Sequence, residues 1–143
     1  MKPGYFDRNM NPISLDEWAL KVEDMDYKFI RQETIGRYLI STIWMGIDHN
    51  FYGSAPLIFE TMIFVDSKDP NDELHLYQAR YTTEAQAITG HEEAVAMVFD
   101  TLRQERDKEE AASAMAAIKD VLGYQMLSRE ETEALLRGEK AKD

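Results

Sequence analysis

Two apolar runs, Leu39 to Ile47 and Leu57 to Val65, flank the polar, Gly- and Pro-containing stretch Asp48 to Pro56. Runs of this length, rich in β-branched and aromatic residues and bounded by turn formers, mark adjacent antiparallel strands. A third run, from Tyr27 to Thr34, precedes a turn at Ile35-Gly36-Arg37, and a fourth, ending at Tyr81, follows the solvated connection Asp66 to Leu74. Residues facing each other in an antiparallel pair sum to a constant, so each connection proposes a register. Without bulges, Phe29 faces Ile43, Lys28 faces Trp44, Trp44 faces Glu60 and Glu60 faces Arg80. The core face of the resulting four-stranded meander carries Tyr27, Phe29, Leu39, Ile43, Phe59, Ile63, Tyr77 and Tyr81. The other face carries Lys28, Ile40, Trp44, Glu60, Met62, Phe64, Leu76 and Arg80, a polar row grading into an apolar patch.

Helical signals surround the sheet. Ser14-Leu15-Asp16-Glu17 is a capping box that opens a short helix to about Asp24, with Leu15, Trp18, Ala19 and Val22 on one stripe. Thr83-Glu84-Ala85-Gln86 is a second box, and Ile88, His91, Val95, Val98 and Leu102 form a stripe that places the following helix across the core face. From Arg103 to Glu110 every residue is polar, which ends the sheet-covering segment near Leu102. The alanine-rich tail beyond favours helix and has an apolar edge of Met115, Ile118, Val121 and Leu122, with Gly123 as a C′ stop and Ser128-Arg129-Glu130-Glu131 as a third box. The expected fold class is α+β: a four-stranded antiparallel meander with a long helix packed on one face, a short N-terminal helix and a helical C-terminal tail. The expected division is a core domain at 1–102 and a helical extension at 103–143.

Composition narrows the function classes. Among 143 residues there is no cysteine, so disulfides, thiolate nucleophiles and cysteine zinc sites are excluded. Twenty-seven acidic residues against 16 basic ones give a net charge of −11, which repels nucleic acid phosphates and disfavours direct DNA or RNA binding. The stretch Met1 to Asp7 lacks the apolar core of a signal peptide, and no apolar run approaches the ~20 residues of a spanning helix. The expectation is a chain of the bacterial cytoplasm that does not enter a membrane.

Candidate chemistry is sparse. Asp48, His49 and Glu60 could form a small hydrolase or metal-dependent centre, but no further ligands stand at fixed spacing, and Asp-His-Asn is equally the composition of an Asx turn. His91-Glu92 begins like a metalloprotease helix, yet position 95 is Val95, which leaves His91 as a core histidine bonded to a sheet tyrosine. Glu60 opposite Arg80 reads as a cross-strand ion pair. Gly36, Gly46, Gly53 and Gly90 are isolated, so no phosphate-cradling loop exists and no cofactor is expected. The remaining functional signal is apolar surface: Ile40, Met62, Phe64 and Leu76 on the sheet, and Met115, Ile118 and Leu122 on the tail. These residues either cover one another or form a partner or oligomer surface, the C-terminal helices being the docking element.

Several segments carry a resemblance: Tyr5-Phe6-Asp7 with Asn11-Pro12-Ile13-Ser14 and Trp18; Ser41-Thr42-Ile43-Trp44-Met45-Gly46-Ile47-Asp48-His49-Asn50-Phe51; Pro56 to Phe64; and Arg80-Tyr81-Thr82-Thr83-Glu84 with Gly90-His91. Over residues 5 to 95 the chain resembles a family of small hypothetical proteins encoded by bacteriophages and prophages. The resemblance implies no catalytic residues. It implies a phage-encoded accessory protein that acts by binding a protein of the host or the phage, with inhibition of a host factor through an acidic surface as one form. A structural or assembly role in the virion and the Asp48-His49 hydrolase are the alternatives.

Overall fold

In a computed structural model that describes residues 4–50, 52–66, 69 and 71–138, the elements follow one another as α1 (Leu15–Glu23), α2 (Met25–Lys28), β1 (Phe29–Ile35), β2 (Tyr38–Trp44), β3 (Phe59–Val65), a 3₁₀ turn (Glu73–Leu76), β4 (Gln78–Tyr81) and α3 (Glu84–Leu136). The strands form one antiparallel sheet in the order β1-β2-β3-β4, the α+β meander expected. The chain divides into two compact units, Met1–Asp100 and Thr101–Asp143.

Local polar chemistry starts the helices. The Ser14 hydroxyl accepts from the Glu17 amide at 3.2 Å at the head of α1. Thr83 and Gln86 cap α3 reciprocally: the Gln86 amide donates to Thr83 Oγ1 at 3.1 Å, and the Thr83 amide donates to Gln86 Oε1 at 3.1 Å. Asp24 adds a cap that the strand pattern conceals, its carboxylate accepting from the Asp26 and Tyr27 amides. Tyr27 and Lys28 are therefore helical, not the first residues of a strand, and the expected Lys28–Trp44 pair does not form. Gly123 is also not a stop. It keeps helical backbone while Gly138, at φ +75°, is the left-handed residue beyond the end of α3, so the segment 128–131 lies inside one helix and does not open a new one.

The registers show two bulges. The β1–β2 connection is a two-residue turn with Gly36 at φ +58°, so Ile35 faces Tyr38 and Arg31 faces Thr42; an irregularity at Ile30 restores the expected Phe29–Ile43 pair. At the far end of β2 the amides of Met45 and Gly46 both donate to the Ile58 carbonyl, at 2.7 and 3.2 Å, with Gly46 at φ +73°. Two residues there oppose one. Within the sheet the register is displaced by one residue from that expected, so that Trp44 faces Phe59 and Ile43 faces Glu60, and beyond the bulge Ile47 bridges Tyr5. Every β2 side chain consequently lies on the face opposite to that expected: Ile40, Thr42 and Trp44 point into the core, and Leu39 and Ile43 away from it. The β3–β4 register, with Glu60 facing Arg80, is as expected.

The core centres on Trp44, Ile58, Phe59 and Ala87, ringed by Phe6, Trp18, Tyr27 and Tyr81. Both indoles are satisfied, Trp44 Nε1 donating to the Phe6 carbonyl at 3.0 Å and Trp18 Nε1 to the Met45 carbonyl at 2.8 Å. Tyr27 meets Trp44 edge-on at 5.0 Å. A side chain at Gly46 would strike both indoles, which is why the bulge carries glycine. The first turns of α3 lie on the core face through Ala87, Gly90, His91, Ala94 and Val98, all buried. His91 and Val98 of the expected stripe make this contact together with the small residues Ala87, Gly90 and Ala94, while Ile88, Val95 and Leu102 are only part-buried.

Candidate functional site

The residues singled out for chemistry are engaged in structure. Asp48 closes its loop: Oδ1 accepts from the Asn50 amide at 2.8 Å and the Leu57 amide at 3.0 Å. His49 Nδ1 donates to the Ile47 carbonyl at 2.8 Å. Glu60, on the outward face of β3, accepts from Arg80 Nε at 3.0 Å and Gln78 Nε2 at 2.7 Å. No hydrogen bond among these joins Glu60 to Asp48 or His49, and among the described residues no three His, Asp or Glu side chains converge as a metal site. Trp44 does not shield the Glu60–Arg80 pair, because the bulge turns the indole to the other face.

The structure assembles a different polar constellation. His91 is fully buried where α3 crosses the sheet, its Nδ1 2.7 Å from Thr42 Oγ1, which lies 2.6 Å from Thr61 Oγ1; His91 Nε2 is 3.0 Å from Glu33 Oε1. A carboxylate only accepts, so Nε2 carries a hydrogen; in the neutral ring Nδ1 then accepts from the Thr42 hydroxyl, which in turn accepts from Thr61. The expected tyrosine partner is replaced by threonine because the β2 register displacement turns Thr42 inward. The order carboxylate, imidazole, hydroxyl imitates a nucleophilic triad, but Thr42, Thr61 and His91 are all sealed from solvent and no substrate atom can reach the hydroxyl. Its chemistry is to dock α3 on the sheet without an unpaired polar group.

The chain matches no protein-family model, no curated protein and no solved structure.

Surface apolar residues are the remaining candidates. Ile40 is fully buried and leaves the expected sheet patch, because the bulge at Met45 and Gly46 turns it inward. Met62 is part-buried, Phe64 is half-exposed and Leu76, in the 3₁₀ turn instead of a strand, is 74% exposed. Phe64 borders a shallow groove of about 450 Å³ that also takes in Thr34, Leu39 and the β1–β2 turn. That turn is tied down by Arg37, which donates to Asp72 Oδ2 through Nε and Nη2 at 3.2 and 3.1 Å, while the buried Tyr38 hydroxyl donates to the same carboxylate at 3.0 Å. In the second unit Met115, Ile118, Val121 and Leu122 all stay at least half-exposed along one helix edge. Met115, Ile118, Val121 and Leu122 were legible as an edge from their spacing; the alanines at 111 and 114 extend it.

Proposed function

We propose that this chain is a non-enzymatic accessory protein of the phage-encoded kind it resembles, acting by binding another protein through the apolar edge of α3. The observation that carries the reading is that Met115, Ile118, Val121 and Leu122 stand on one helix edge and, among the described residues, each stays at least half-exposed. An amphipathic helix edge of this kind docks in an apolar groove of a partner. Its energetics set a limit. Burying the remaining half of four aliphatic side chains yields about 1 kcal/mol each, ~4 kcal/mol in all before ordering costs, which corresponds to about millimolar affinity. The edge therefore works with a second contact, and the net charge of −11 favours a basic partner surface for it.

The test compares co-purification from host lysate by the full chain and by an Ile118→Asp/Leu122→Asp variant of equal helicity. A partner retained by the first and lost by the second is the expected result. The same proteins on both, or none on either, would defeat the reading.

A further inference from the structure

β1 stands at one edge of the sheet, next to β2 alone, and its residues Arg31 to Thr34 are all exposed. The two-residue turn makes Ile35 and Tyr38 a hydrogen-bonded pair, and alternation along the ladder makes Glu33–Ile40 and Arg31–Thr42 hydrogen-bonded pairs as well. The amides and carbonyls of Gln32 and Thr34 therefore point away from β2, and no backbone group among the described residues takes them up. An open edge is a template for a further strand, and charge, proline or a covering element ordinarily blunts it.

The charges on β1 blunt it against other strands but not against itself. Arg31 and Glu33 lie one on each side of Gln32, and both project to the face that carries α3, where Arg31 Nη1 meets Glu92 and Glu33 Oε1 meets His91. Neither is used up, since the side chains of Arg31 and Glu33 stay 43% and 47% exposed. When two copies of β1 run antiparallel, a pairing centred on Arg31 sets arginine against arginine, and one centred on Glu33 sets glutamate against glutamate. Centred on Gln32, the pairing sets Arg31 of each copy against Glu33 of the other, and the outward amide and carbonyl of Gln32 bond their own counterparts. At that centre charge and backbone are satisfied together.

We infer that β1 pairs antiparallel with β1 of a second copy about a two-fold axis through Gln32, joining two four-stranded sheets into one. A contact of this symmetry repeats each interaction twice. Arg31 of one copy then continues the polar chain that runs from His91 to Glu33 in the other. The irregularity at Ile30 and the turn at Gly36 bound the ladder, so the contact is short. Well below the ~1,600 Å² of a standard interface, it holds a transient dimer. The net charge of −11 on each copy opposes approach, over a range that physiological salt cuts to about 8 Å. The inference goes beyond the apolar-edge reading and does not use it.

The chain has no cysteine, so a thiol placed on β1 reports the register without background. In the dimer, Gln32→Cys faces its own counterpart at a Cα separation of about 5.5 Å, within disulfide reach, whereas Thr34→Cys is about 13 Å from its own. With oxidised glutathione and the full chain at physiological salt, a linked dimer is expected to form at least about tenfold faster from Gln32→Cys than from Thr34→Cys. Sedimentation equilibrium supplies a second arm. Arg31→Glu alone and Glu33→Arg alone each dimerise about tenfold more weakly than the unsubstituted chain, and an equimolar mixture of the two recovers association, because each reversed charge then meets its opposite. Equal linking rates at the two positions, no linking at either, or a mixture no tighter than its components would each overturn the assignment. Gln32 is exposed, so the cysteine arm stands even where a charge reversal disturbs His91.

Discussion

Gly90 and Gly123 lie in the same helix, and alanine at the two positions has opposite consequences. Within a helix, alanine is ordinarily favoured over glycine by about 0.5–1 kcal/mol through backbone entropy. Nothing lies within 4 Å of a carbon added at Gly123, so Gly123→Ala gains that amount, seen as slower amide exchange in that part of α3. At Gly90 the added carbon meets the Tyr81 ring, and Gly90→Ala costs about 1–3 kcal/mol in urea unfolding. The loss is relieved in a Tyr81→Ala background, a non-additivity that assigns it to this one contact. Tyr77 gives a pH signature. Its proton is held to about 12 in the folded chain, chiefly by burial, against 10.0 for an unperturbed phenol. Between those values the unfolded chain releases a proton that the folded chain keeps, so this contribution is fully present below pH 10.0 and is lost as pH rises toward 12. Urea midpoints at pH 9 and 11 should fall less in Tyr77→Phe than in the unsubstituted protein.

At the scale of elements, the tie between α3 and the sheet is polar at its centre and small-sided around it. Thr42→Val leaves His91 Nδ1 and the Thr61 hydroxyl unpaired inside the core, a cost of about 1–3 kcal/mol in the unfolding midpoint. Glu33→Gln, at the wet end of the same chain with its side chain 47% exposed, costs less than about 1 kcal/mol. Equal losses from the two would mean that the buried hydroxyls do not carry the docking. The elements themselves were legible where the signal is local. Ser14 and Thr83 announce their helices through side chains a few residues apart, and the Glu60–Arg80 register follows from the length of one connection. The bulge at Gly46 is not local. It is set by Trp18 and Trp44 closing on a position that must lack a side chain, and no window of sequence contains both indoles together with Ile58 and the sheet.

Over the whole chain, the same bulge decided which sites sequence reasoning could place. Displacing β2 by one residue removed Ile40 from the expected partner surface, put Trp44 on the face away from Glu60, and brought Thr42 to His91, so the buried network was invisible until the faces were known. Spacing along one helix needs no such knowledge, which is why the Met115, Ile118 and Leu122 edge could be read directly. Asp48, His49 and Glu60 stand near one another in sequence, whereas their hydrogen bonds run in different directions, those of Asp48 and His49 within their own loop and that of Glu60 to Arg80 on β4. The Met45–Gly46 step also separates two regimes of tolerance to length change. A residue inserted between Gly53 and Ser54 lengthens only the loop and should leave Tm nearly unaltered. Deleting Met45 removes the spare residue that lets an odd mismatch end before the strand begins, and should expose Trp44 to solvent, shifting its fluorescence to the red.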